Sequence, residues 1–223
     1  MAKIFHAHLH GDRVTKYDRL INSNISDTAW SEISPQTPFY LLTPQNTQLL
    51  TEYERGWKIT EIMVANAVGF QTHRDYLVIS LSKEELFKRI CDFVDSSNSD
   101  EEIRKRYFSD TKNSNYPLGD TRDWSLAQSR KQLQKIDDLK KWMTVCIRRP
   151  FDFQWYFYHP AAIDYGRPAI MNQLILRENV ALLWTRPMSP NYEFSALSAS
   201  CAVDQSVVGN KTAGAGGTYV APL

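Results

Sequence analysis

Three histidines stand two residues apart in "FHAHLHGD", at His6, His8 and His10. In a β-strand successive side chains point to opposite faces, so all three imidazoles would line one face. Three imidazoles around an open fourth position form a ligand set that a catalytic zinc accepts. The same alternation describes a half-buried strand with Phe5, Ala7 and Leu9 turned inward.

Other strings with chemical potential are incomplete. "SPNY" (189–192) has the look of a Pro-Pro-aromatic methyltransferase loop, but the second proline is missing and no glycine-rich cofactor turn accompanies it. "DTK" (110–112) has the acid-x-Lys spacing of many nucleases without a paired upstream acid in a Pro-Asp context, and reads as a loop. "GAGG" near the end lacks the Lys-Ser/Thr of a phosphate-binding loop. No serine sits in a nucleophile elbow, and Cys91 falls on the apolar face of a predicted helix, a core position.

The chain that must position these groups has 223 residues, 43% hydrophobic and 12% aromatic, enough for one large domain or two small lobes. No apolar run reaches the roughly eighteen residues of a membrane span, and the N-terminus lacks a signal-peptide pattern, so a soluble, cytoplasmic protein is expected. Three well-separated cysteines, Cys91, Cys146 and Cys201, fit reduced, mostly buried thiols. Net charge is only +1, yet residues 103–149 hold twelve Lys plus Arg against five Asp plus Glu, a local +7 that leaves −6 for the rest. Such asymmetry fits a polyanion-facing surface and equally a solvated helix face.

Helical and strand patterns alternate throughout. Asp12 can cap a helix to about Asn22, "PFYLLTP" reads as a short strand, and Asn46 opens a helix running to Gly56. "NAVGF" and "YLVISL" read as strands flanking "QTHRD", and Ser82 with Glu85 forms a capping box for "KEELFKRICDFV". Helices follow at "EEIRKRYF" and "SLAQSRKQLQKIDDLKKW", then strands at "TVCIRR" and "DFQWYFY" around Pro150. Pro168 starts the helix "PAIMNQLIL", and "VALLWT" is a buried strand. The expectation is a mixed α/β (α+β) fold with sheets flanked by helices and a basic helical segment in the middle. Possible sub-lobes are 1–97 and 98–223.

"FHAHLHGDRVTKYDRL", "PFYLLTPQNTQLLTEYERGWKITEIM", "VGFQTHRDYLVI", "DWSLAQSRKQL", "RRPFDFQWYFY", "NVALLWTR" and "GNKT" occur in an order that resembles the C-terminal specificity region of type ISP restriction-modification enzymes. The similarity covers almost the whole chain, and related domains occur in type IIG enzymes. It implies a bacterial DNA-reading part whose nuclease, helicase-like ATPase and adenine-N6 methyltransferase partners lie elsewhere in a long polypeptide. That polypeptide would use S-adenosylmethionine, Mg²⁺ and ATP, with no cofactor, metal or catalytic residue in this chain. Beginning at once with the first strand and stopping at "APL", the chain reads as an excised fragment or a truncated stand-alone unit. His6 and His8 match a histidine-bearing strand that the family uses structurally, while His10 falls where an aromatic is expected. A histidine pair holding the first strand against Tyr17 or a nearby loop is therefore expected in place of a metal.

Duplex DNA as the partner gives the polar clusters a role. Phosphate contacts position a protein, whereas Arg bidentate to guanine and Asn or Gln bidentate to adenine specify sequence. "QTHRD" offers Gln71, Thr72, His73 and Arg74, with Asp75 to orient Arg74; "RRPFD" offers Arg148 and Arg149, with Asp152 as a buttress. Each string also fits an ordinary ion-paired hairpin. Tyr156, Arg167, Arg186, Asn210 and Lys211 are further DNA-facing candidates, and Lys131 and Lys135 would attract phosphate. Two other readings remain: a catalytic fragment acting on nucleic acid through His73, Asp75 or Asp152, and a protein-interaction module using the aromatic face of "FQWYFY".

Overall fold

The structure is a computed structural model that describes residues 3–37, 39–110, 115–185, 196–208 and 217–223. Its chain divides into two compact units, Met1–Trp57 and Lys58–Leu223.

The first unit is built by local signals. Strand β1 (Ile4–His6) pairs antiparallel with β2 (Ser31–Ile33), Ile4 opposite Ile33. Between them runs α1 (Arg13–Asn22), and the predicted Asp12 cap forms, its carboxylate accepting from the Thr15 amide at 2.8 Å. β1 stops at His6, so the three histidines do not share one strand face; the rings of His6 and His8 meet edge to face at 4.3 Å, with His10 5.5 Å from His8. Tyr17, expected as their partner, is engaged by Arg13, whose guanidinium lies over its ring at 5.3 Å. "PFYLLTP" forms no strand among its described residues, consistent with a proline at each end of a short run, where ladder donors are lost. Asn46 caps only a 3₁₀ turn at 47–49, followed by α2 (Leu50–Tyr53), which ends short of Gly56.

The second unit carries all the buried hydrophobic residues among those described. Its elements in order are α3 (Ile59–Ile62), β3 (Ala67–Val68), α4 (Asp75–Val78), β4 (Ile79–Ser80), α5 (Lys83–Val94), α6 (Asp100–Phe108) and α7 (Leu126–Leu133). The hairpin β5 (Met143–Arg149) and β6 (Asp152–Phe157) follows, then α8 (Pro168–Ile175), β7 (Ala181–Trp184), β8 (Ala196–Ala199), β9 (Ala202–Val203) and β10 (Tyr219–Pro222). One sheet has the order β3-β10-β7-β8; the other, β4-β6-β5-β9, is antiparallel except for the parallel β5–β9 pair. Helices α5 and α8 pack on these sheets, giving the mixed α/β architecture that the sequence predicts.

Four differences from expectation have local causes. "YLVISL" is not one strand: the Arg74 carbonyl accepts from the amides of Leu77 and Val78, making a helical turn, α4, before β4. The basic helix breaks after Leu133, because Asp138 caps a separate 3₁₀ turn at 139–142 through the Lys140 amide. The segment at 95–99 is no lobe boundary but is fastened inside the second unit, where Arg130 of α7 donates to the carbonyls of Phe93, Asp95 and Asn98 at 2.7–2.8 Å. Ser82 caps α5 by accepting from the Glu85 amide, while its hydroxyl donates to Glu84 instead of completing the box with Glu85.

Candidate nucleic-acid interface

Three loops of the second unit meet at the ends of the two sheets. Residue Phe70 forms a parallel bridge to Asp204, and Gln71 an antiparallel bridge to Tyr165, with both Gln71–Tyr165 backbone bonds at 3.0 Å. The "QTHRD" loop is thereby tied to the turn after β9 and to the loop before α8. Arg148, at the end of β5, reaches both loops' acids: it is ion-paired to Asp75 and lies 3.6 Å from Asp204.

Beneath this junction the polar groups are braces. Arg74 is 1% exposed; it donates to Asp164 at 2.7 Å and to the Thr72 carbonyl at 3.1 Å, and stacks over Trp124 at 3.8 Å. Burial lowers its pKa, with the Asp164 carboxylate opposing the shift. Thr72, 1% exposed, accepts from the Arg74 amide and donates to Asp75. Asp75 therefore orients Arg148 and not Arg74, whose counter-ion is Asp164. Asp152 does not buttress either arginine of "RRPFD"; it accepts from Gln154 at 3.0 Å. Asp204 fills that place, and its burial pushes its carboxyl above the ordinary value against the Ser206 amide and Arg148.

Above the braces lies a row in which Arg149, Tyr165, Arg167 and His73 are exposed and Gln71 and Gln205 are half-buried. Arg149 is 56% exposed and approaches Asp204 at 4.0 Å; Gln205 follows Asp204 and accepts from Gln71; Gln71 is bridged to Tyr165; and Tyr165 meets both His73, ring to ring at 5.7 Å, and Arg167, 5.3 Å above its ring. His73 is half exposed, and its Nδ1 sits 2.7 Å from Asp164. A carboxylate oxygen accepts, so Nδ1 donates in this pair. Among the described residues, three of the four non-glycine residues with positive φ fall in this region: His73 at 55°, Phe151 at 66° and Arg167 at 52°. Left-handed backbone at such residues is strained and collects at functional sites.

The structure thus brings Gln71, His73, Arg149 and Arg167 together, and buries three predicted DNA contacts. Arg74 and Tyr156 are sealed in: Tyr156 is 0% exposed and stacks on Phe70 at 4.3 Å, on one of the two inner strands of its sheet. Thr72 is likewise a buried brace, and Arg148 is mostly covered by its ion pairs. Lys131 and Lys135 are exposed, on and just beyond α7. Arg186, Asn210 and Lys211 lie outside the described residues. Sequence reasoning missed Asp164, Tyr165, Asp204 and Gln205; the turn-forming strings "DYGRP" and "DQS" were the available signal.

A cavity of about 280 Å³ adjoins this row, shared through Asp164 and Tyr165 and lined on its other side by Ser125, Gln128, Ser129 and Gln132 of the α7 segment. His73 and Asp164 resemble a base and its orienter, but among the described residues no hydroxyl or thiol bonds the other imidazole nitrogen. Nor do the described residues gather three or more His, Cys, Asp or Glu in a geometry able to hold a metal.

The Type ISP C-terminal specificity domain profile matches residues 61–223, most of the chain. The chain belongs to that family. Solved structures similar to this specificity domain include the ATP-dependent Type ISP restriction-modification enzyme LlaBIII bound to DNA, at 18% identity and a TM-score of 0.58, covering 99% of this chain and 14% of that one. A nuclease-deletion mutant of the Type ISP enzyme LlaGI with a DNA substrate mimic gives 16% and 0.56, covering 94% and 17%. A DrdV–DNA complex gives 15% and 0.54, covering 93% and 21%. These identities establish a shared fold, and the specificity domain spans about a fifth or less of each of those chains. No curated protein matches.

The specificity domain's basic segment is less basic outwardly than its composition implies. Arg104 is bidentate to Asp120, and Arg106, Arg122, Arg130 and Arg148 pair with Asp92, Asp123, Asp100 and Asp75. Of these, Arg104, Arg130 and Arg148 are largely covered, whereas Arg106 and Arg122 are paired at the surface. Among the described residues no helix is long and apolar enough to cross a membrane.

Proposed function

We propose that this specificity domain reads a short sequence in double-stranded DNA and holds it for a separate adenine-N6 methyltransferase domain of a longer restriction-modification polypeptide, without performing chemistry itself. The supporting observation is the row Arg149, Gln205, Gln71, Tyr165, Arg167 and His73, its cations and rings exposed and its two glutamines half-buried, mounted on buried ion pairs. Such a row offers guanidinium and amide forks on a rigid base, as direct readout requires. S-adenosylmethionine, Mg²⁺ and ATP belong to the other domains on this reading, and the helicase and nuclease parts act on the DNA that this domain has positioned. The location is cytoplasmic, where such enzymes meet DNA.

The aromatic string "FQWYFY" presents no continuous docking face: Phe153 is exposed, but Trp155 is half-buried beneath Lys83, and Tyr156, Phe157 and Tyr158 are buried. The acids of the catalytic alternative are each committed to a neighbour: Asp75 to Arg148, Asp152 to Gln154. Selection from a pool of randomised duplexes tests the proposal, and the chain is expected to enrich one short sequence. The same protein incubated with plasmid DNA, S-adenosylmethionine, Mg²⁺ and ATP should neither methylate nor cleave it. Turnover abolished by substituting a residue of this chain would replace the reading by a catalytic one.

A further inference from the structure

The turn after β9 is held unusually close to its neighbours. A Cβ on Gly69 would lie 2.6 Å from the Val203 carbonyl oxygen and 2.7 Å from the Gln205 nitrogen; one on Gly217 would lie 2.4 Å from the Val68 side chain and 3.5 Å from the Gln205 Cβ. Two glycines therefore let strands on either side close on residues 203–205. The Gln205 amide donates to the Phe70 carbonyl at 3.1 Å, its carbonyl accepts from Thr218 at 2.6 Å, and Asp204 closes the turn by accepting from the Ser206 amide at 2.7 Å. With its backbone fixed at both ends, the half-buried Gln205 side chain receives a hydrogen bond from the Gln71 side-chain amide, whose own backbone is bridged to Tyr165.

That bond occupies one of two lone pairs on Gln205 Oε1. Among the described residues no other group bonds this side chain, which leaves the second lone pair and the Nε2 hydrogens, an acceptor and a donor side by side. In the major groove only adenine presents the complementary pair, a donor at N6 and an acceptor at N7; guanine shows two acceptors there. We propose that Gln205, oriented by Gln71, is a base-reading subsite whose ligand is the adenine edge of an A·T pair, between the positions served by Arg149 on one side and by Tyr165 and Arg167 on the other. Gln205 makes the contact; Gln71 is a positioning residue.

The subsite rests on the DNA-reading proposal, and one experiment separates the two. Randomised-duplex selection with the full chain should give a site containing one position fixed as adenine. Gln205→Ala should lower the preference for adenine there about tenfold and leave the other positions intact, in line with the loss of one bidentate base contact. Gln205→Glu, which keeps only acceptors, should shift that position toward cytosine, whose N4 amino group donates. Gln71→Ala should relax the same position less. A merely structural pair would lower the melting temperature and change no base preference, and an unchanged site in both Gln205 variants overturns the subsite while leaving DNA reading intact. If the wild-type chain selects no sequence at all, the DNA-reading proposal falls and the subsite with it.

Discussion

Two sets of arginines in the second unit have the same chemistry and opposite fates. Arg74, Arg104 and Arg130 are at most 9% exposed, each bonded to an aspartate and to at least one backbone carbonyl. Arg149 and Arg167 stand in the open, above an ion-paired floor and an aromatic ring respectively. The difference teaches that charge in this fold is divided between arginines that hold loops together and arginines left open to solvent, where the proposed DNA contacts lie. Removing Arg74 or Arg104 leaves a largely buried carboxylate behind; removing an exposed guanidinium leaves only water.

The largest expected effect tests the buried set. Arg74→Ala strips Asp164 of its cation and Trp124 of its stacking partner, and should cost about 3–5 kcal/mol of stability in urea unfolding. Base preference should stay as it is in whatever fraction remains folded. A variant of wild-type stability that selected a different site would make Arg74 a reader and erase the distinction.

Arg149→Ala is the opposite case. It should leave the unfolding midpoint nearly unchanged and cost about 1–3 kcal/mol on the selected site, with much less on random duplex. Equal losses on both duplexes would demote Arg149 to a phosphate contact. Tyr156→Phe sharpens the boundary between the sets: its hydroxyl is buried with no hydrogen-bond partner among the described residues, so removing it should raise stability by about 1 kcal/mol without touching DNA affinity.

How far the sequence reveals this division depends on distance along the chain. Signals contained within a few residues were legible: the caps at Asp12 and Ser82, Pro168 at the start of α8, and the strands around Pro150. Family resemblance located the polar loops, and His73, Gln71, Arg149 and Arg167 do meet. The partners were not legible, because a nearby aspartate looks like the natural counter-ion whereas the fold supplies a distant one. Arg74 lies beside Asp75 but pairs with Asp164, ninety residues on, and Arg148 turns from Asp152 to Asp75 and Asp204. Periodicity also misled at "YLVISL", where side-chain bonds of Thr72 and the Arg74 carbonyl impose a helical turn on residues of high strand propensity.

The smallest effect concerns Lys131 and Lys135, exposed cations that carry no ion pair among the described residues. If they attract phosphate, each contributes through released counterions and not through base edges, so its loss must be blind to sequence. Replacing either by alanine should weaken selected and random duplex by the same factor and lower the slope of log affinity against log salt by about one unit. Lys135 is the cleaner choice, because Lys131 lies in the last turn of α7 and also favours the helix dipole. Titrations at several salt concentrations read the outcome directly. An unchanged slope would mean that both lysines only solvate the helix end, leaving recognition to the row from Arg149 to Arg167; a changed base preference would move the reading surface onto α7.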